Sequence, residues 1–181
     1  GKEMAREMLD VVHKYIRPLK NMRVFSVEVD RERKFEEFLN GLKRIRCDTV
    51  AELDQKVLSK MPQHGEKVVD LYLFELPYKV GLFSPGEIML EYTLRGLQPD
   101  PGAHMAFMFG SNRYGSKYLD LCASNSFNTA TIWQDANSVP NFISFNSENN
   151  DEWNCTVTVK SCEKSYSWRN NHARWYCGVR A

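Results

Sequence analysis

From Lys67 onward the apolar residues recur every second position, in short runs separated by turn residues. That period limits this part of the chain to a β-rich architecture. "KVVDLYLF" (67–74) is the first run. "EIMLEYTLR" (87–95) sets Ile88, Leu90, Tyr92 and Leu94 against Met89, Glu91, Thr93 and Arg95, which predicts a half-buried antiparallel strand. Pro85-Gly86 reads as the corner that feeds this strand, and Gly96 as its release into the turn "QPDPG" (98–102). "AHMAFMF" (103–109) is apolar on both faces and reads as a central strand. "KYLDLCA" (117–123), "TATIW" (129–133), "NFISF" (141–145) and "CTVTVK" (155–160) continue the series. Short strands about 8–12 residues apart predict an antiparallel β-sandwich of jelly-roll type over residues 66–181.

The beginning of the chain has another texture. Residues 1–80 carry 30 of the 47 charged side chains, and their apolar residues recur at three and four. Met4, Met8, Val11, Val12, Tyr15 and Leu19 form one helical stripe, ended or bent by Pro18. "VFSVEV" (24–29) predicts a short strand. Phe35, Phe38, Leu39, Leu42 and Ile45 share the face of a second helix. Thr49-x-x-Glu52 reads as a capping box for a third, bearing Val50, Leu53 and Val57 and stopped by "MPQHG" (61–65). The expected fold class is therefore α+β. A helical segment of about three helices and a short strand, residues 1–65, packs on or beside the sandwich of residues 66–181.

Several residues of the second part occur in an order that resembles the galectin carbohydrate-recognition domain. They are Pro77, Gly81-Leu82, Pro85-Gly86, the run 87–95, Gly96, and "SKYLDLCASNSFN" (116–128) with its closing Phe-Asn. The resemblance spans roughly residues 76–159 and implies a galectin-like jelly roll. Galectins hold sugar with a His, an Asn and an Arg on one strand, and stack it on a Trp. With Phe127-Asn128 as anchor, the equivalent positions here hold Cys122, Ser124 and Ser126, with Trp133 or Trp153 for stacking. Cys and Ser lack the charged, forked donors of that site, so the resemblance implies the fold more than the sugar. Glycan binding on this face is kept as a further alternative, ranked below protein and RNA binding.

The composition excludes some functions. A formal net charge of +1 argues for neither a nucleic-acid nor a membrane-surface partner by bulk charge. No apolar run is long enough for a membrane helix, and no signal peptide is evident. Five loosely spaced cysteines read as reduced thiols, so an intracellular location, cytoplasmic or nuclear, is expected. Cys155, Cys162, His172 and Cys177 are metal-ligand types, but they lack a tight Cys-x2–4-Cys pair, so no metal site is expected. His13, His64, His104 and His172 form no local signature with a nucleophile. His104, amid apolar residues, reads as an interior histidine with satisfied hydrogen bonds. No phosphate-binding glycine loop occurs, no cofactor is expected, and the chain is not expected to be an enzyme.

The sharpest local feature is "KSYSWRNNHARWYCGVRA" (164–181). Lys164, Arg169, Arg174 and Arg180 alternate with Tyr166, Trp168, Trp175 and Tyr176, without an acid. Aromatic faces stack on bases and arginines neutralise phosphate, so Trp168, Arg169, Arg174, Trp175 and Tyr176 are candidates for single-stranded RNA binding. The competing structural reading is a final hairpin of "YSW" and "RWYCGV" whose aromatics cover the core. The leading functional expectation is a non-catalytic interaction module that binds a protein partner or assembles with itself. RNA binding is the alternative.

Overall fold

The computed structural model describes residues 22–44, 49–62, 64–76, 82–109, 128–147, 155–162, 168–169 and 174–181. Ten strands and four helices lie within them. In chain order they are β1 (Arg23–Glu28), α1 (Phe35–Arg44), β2 (Thr49–Leu53), α2 (Gln55–Ser59), β3 (Val68–Phe74) and β4 (Leu82–Phe83). Then follow α3 (Pro85–Leu94), β5 (Leu97–Pro99), α4 (Pro101–Phe109), β6 (Asn128–Gln134), β7 (Pro140–Ser147), β8 (Cys155–Ser161), β9 (Trp168–Arg169) and β10 (Trp175–Arg180). The predicted first helix (Met4 to Leu19) and the runs 103–109 and 117–123 meet different ends. The first and last lie outside the described residues, and the middle one is α4.

Eight strands form one mixed sheet in the order β1-β3-β10-β6-β7-β8-β2, with β5 as a further partner of β10. Neighbours are antiparallel except β10 with β6 and β2 with β8. β4 and β9 form a separate two-stranded pair. The protein is thus mixed α/β with an open sheet. The second large sheet of a jelly-roll sandwich is not among the described residues. Nor does a boundary at residue 65 divide them: β1 and β2 lie in the same sheet as the strands that follow.

Strand alternation explains the layering. Phe25, Val27, Leu71, Leu73, Trp175, Cys177, Val179, Trp133, Ile143, Phe145, Val157 and Val159 face one side. There they meet Phe38 of α1, Val57 and Leu58 of α2, and Ala103, Met105, Phe107 and Met108 of α4. Tyr72, Phe74, Ala130, Ile132, Phe142 and Tyr176 face the other side, covered by Ile88 and Tyr92 of α3. The sheet therefore has helices on both faces.

Four predicted elements are replaced. The run 87–95 is helix α3, and Pro85-Gly86 is its first turn rather than a strand corner. Ser84 caps it reciprocally: its Oγ accepts from Glu87 N at 3.2 Å, and its own N donates to Glu87 Oε2 at 2.6 Å. Pro85 at the first helical position loses no hydrogen bond there. Buried Ile88 and Tyr92 stand one turn apart, so the apparent alternation hides a helical face. Gly96, at φ +65°, ends the helix in a conformation other residues adopt only at a cost.

Likewise 103–109 lies within α4, and "QPDPG" is its start. Asp100 Oδ1 accepts from Ala103 N at 2.9 Å, with Pro101 next. The Thr49-x-x-Glu52 stretch is strand β2, and the cap of α2 is Asp54, whose Oδ1 accepts from Lys56 N (2.8 Å) and Val57 N (3.3 Å). The final hairpin is also replaced. β9 pairs with β4, whereas β10 enters the main sheet between β3 and β6.

Candidate functional site

β10 is the hub of the sheet, and both ends of its pairing are unusual. On one side it leaves its parallel partner β6 after Tyr176↔Ala130 and takes up β5 from Gly178↔Pro99. The carbonyl of Cys177 lies at this change of partner. It accepts the Tyr92 hydroxyl at 2.8 Å and the Thr131 hydroxyl at 3.3 Å. Tyr92 comes from α3 on one face, while Thr131 shares the opposite face with His104 of α4. His104 Nδ1 lies 3.0 Å from Thr131 Oγ1, and Nε2 lies 2.8 Å from Thr129 Oγ1. A carbonyl is a better acceptor than the Met108 thioether 3.9 Å from Thr129, so the Thr131 proton goes to Cys177 O. His104 then donates from Nδ1 and accepts at Nε2, an assignment inferred from the network.

Burial decides the protonation of this network. It pushes the His104 pKa down from 6.5 to about 3, keeping the imidazole neutral. Burial also raises the Tyr92 hydroxyl and the Cys177 thiol well above their ordinary values. Cys162, buried beside the other core, is pushed up to about 12. These groups bind the layers together and offer no ready nucleophile or base.

On its other side β10 parts from β3. The ladder ends at Gly178↔Tyr72, although β3 begins four residues earlier at Val68 and β10 runs on to Arg180. A groove of about 700 Å³ opens there. One wall is His64, Gly65 and Glu66 with Val68, Val69, Asp70 and Tyr72, and the other is Gln98, Pro99 and Val179 to Ala181. Its polar floor is a buried ion pair. Arg31 Nη1 and Nη2 grip Asp100 Oδ1 and Oδ2 at 2.7 and 2.8 Å, and Arg31 Nε and Nη2 donate to Glu66 O at 3.1 and 2.8 Å. Arg31 thereby ties the turn after β1 to the cap of α4 through the bidentate pair, and to the loop before β3 through Glu66 O. Above it, Arg180 Nε donates to Tyr72 Oη at 2.9 Å. Val68 is 60% exposed at the edge of the groove, and Val24 on neighbouring β1 is also exposed.

A second buried pair lies under α3. Arg95 Nη1 binds the Glu91 carboxylate one helical turn back and its carbonyl at 2.9 Å, while the guanidinium sits 4.4 Å from the Phe74 ring centroid. Its role is to close the helix onto the sheet.

The residues singled out from sequence fall elsewhere. Trp175 is 6% exposed and Tyr176 fully buried, in opposite cores. Arg23 and Arg174 lie 5.2 and 5.8 Å from the Trp175 ring, and Arg174 also pairs with Glu75 at 2.7 Å. A base cannot stack on rings committed in this way, which corrects the assignment of Trp175 and Tyr176 as a stacking platform. Trp168 and Arg169 form β9 against β4, apart from β10 in pairing. Of the sugar-face candidates, Trp133 is 2% exposed and cannot stack a sugar. Cys122, Ser124 and Ser126 lie outside the described residues, as do His13 and His172. His104 is interior with both nitrogens satisfied, as expected, but on a helix rather than a strand. Arg31, Tyr72, Asp100 and Arg180 were missed as a group. Only Arg180 carried a signal, as part of the basic C-terminal segment.

No helix among the described residues is long and apolar enough to cross a membrane. In comparisons with known proteins, no family model matches the chain, and no curated protein and no solved structure matches it either.

Proposed function

We propose that this chain is a non-catalytic interaction module that takes an extended segment of a protein partner in the groove between β3 and β10. The observation that carries this reading is the early end of the β3–β10 ladder, with both strands continuing along an open groove. In an antiparallel pair the backbone groups of alternate residues point to the same neighbour. Val29 N donates to Lys67 O across the β1–β3 pair at 2.6 Å, so Lys67 and, by alternation, Val69 and Leu71 turn their backbone groups to β1, while Tyr72 turns its own to β10. The backbone N–H and C=O of Asp70, two residues before Tyr72, therefore aim toward the groove. Exposed main-chain groups beside an apolar side chain suit recognition of an extended peptide. Burial of the Cys162 and Cys177 thiols and the His104 imidazole supports a binding role over a catalytic one.

Hydrogen exchange on the chain with and without a selected peptide tests this reading. Added protection across residues 68–72 and 178–181 is expected. Protection confined to residues 164–176 on adding single-stranded RNA, with no peptide effect in the groove, would transfer the function to nucleic acid and refute the proposal.

A further inference from the structure

Among the described residues, the groove holds one cation that is fixed in place and still has donors to give. Arg180 Nε is bound to the Tyr72 hydroxyl at 2.9 Å, and the guanidinium lies 5.7 Å from the Tyr72 ring centroid. Its backbone is anchored twice, by pairing with Leu97 in β5 and by Gln98 Nε2 donating to its carbonyl at 3.4 Å. Neither Nη group has a partner among the described residues. Arg31 differs, because its fork is already filled by Asp100 and Glu66 O. An arginine held through Nε presents its two Nη groups as a pre-organised fork, and a carboxylate is the group that matches it.

The rest of the groove narrows the occupant. Asp70 and Glu66 line the wall formed by β3 and the loop before it, and neither pairs with Arg180. They repel a uniformly anionic chain, so a nucleic-acid backbone is disfavoured. Val68, 60% exposed, offers an apolar contact beside them. Resting on the groove reading above, we propose that the partner segment is an extended peptide carrying one Asp or Glu among apolar residues. Its carboxylate docks bidentately on Arg180, and an apolar neighbour covers Val68.

The test selects random twelve-residue peptides displayed on phage against the full chain, then measures one enriched peptide by fluorescence anisotropy. An Asp or Glu enriched at a single position is expected. Arg180→Gln should weaken binding about 10-fold or more, as loss of a charged hydrogen-bonded pair implies. Changing the peptide acid to its amide should cost the same, with little further loss when both changes are combined. Arg180→Lys, which keeps the charge but not the fork, should fall between. Tyr72→Phe should weaken binding by freeing the guanidinium. Thermal melts establish that each variant stays folded.

Peptides that protect residues 68–72 without acid enrichment, or that ignore Arg180→Gln, overturn the carboxylate assignment and leave the groove reading standing. Peptides that protect other residues, or a selection that yields none, overturn both. Arg180-dependent binding of a single-stranded oligonucleotide in preference to every peptide also overturns the assignment.

Discussion

Lowering the pH should unfold this protein through His104. The side chain is fully buried between α4 and β6, with Thr129 and Thr131 as partners. Its pKa is about 3 in the fold, against 6.5 as the ordinary value. The unfolded chain therefore binds a proton that the folded chain refuses. The stability associated with the neutral ring is complete above 6.5 and is lost as pH falls toward 3. Over that whole window the loss is roughly 5 kcal/mol, at about 1.4 kcal/mol per pH unit. Between pH 7 and pH 5, before most carboxylates titrate, it should already be about 2 kcal/mol. Urea unfolding at several pH values measures this directly, with NMR of the His104 ring as a check that it stays neutral in the folded state. His104→Gln removes the titrating group while keeping an amide for the threonines. It should be less stable at pH 7 yet flatter between pH 7 and pH 5. Equal pH slopes for the two proteins would refute the reasoning, as would a folded-state ring that titrates near 6.5.

Gly178→Ala should be strongly destabilising. Its Cβ would lie 2.7 Å from Tyr92 Cε1 and 2.9 Å from the Gln98 carbonyl, and the latter is backbone held by β5 pairing. A cost of about 1–3 kcal/mol or more is expected in a thermal or urea melt. Asp100→Ala should cost about 3–5 kcal/mol by leaving Arg31 buried without its partner, with a further loss from the uncapped α4. Chemical unfolding at neutral pH would show both effects. Iodoacetamide at mildly alkaline pH should leave Cys162 and Cys177 unmodified in the folded protein and label both after unfolding, since burial raises both thiols. Peptide mapping by mass spectrometry reads the outcome.

What could be read from sequence followed the range of the interactions. Strands β3, β6, β7 and β8 were visible because their alternation and β-branched residues are local. The helices α3 and α4 were not, because both are rich in apolar residues and periodicity cannot tell a buried helix from a buried strand. Their start signals were nonetheless present. Ser84-Pro85-Gly86-Glu87 is a capping box with proline at the first helical position, and Asp100-Pro101 repeats the device. Each names a specific hydrogen bond to a helical N–H, whereas alternation names only a face. The caps are therefore a stronger physical signal of helix than the period is of strand.

The site was a different matter. Arg31 meets Asp100 across 69 residues, and Arg180 meets Tyr72 across 108. No window of sequence contains such pairs. They depend on β10 entering the sheet between β3 and β6 and then exchanging β6 for β5, and that choice rests on long-range packing. Gly178 sits at the exchange. Its missing side chain lets Tyr92 and Gln98 O approach, Tyr92 then satisfies the Cys177 carbonyl, and β10 runs on along β5 in place of β6. Gly178 is also the last residue of β10 to pair with β3, so the exchange on one edge and the opening of the groove on the other share this residue. A Gly178 variant that still folds should therefore alter peptide binding in the groove without touching Arg180.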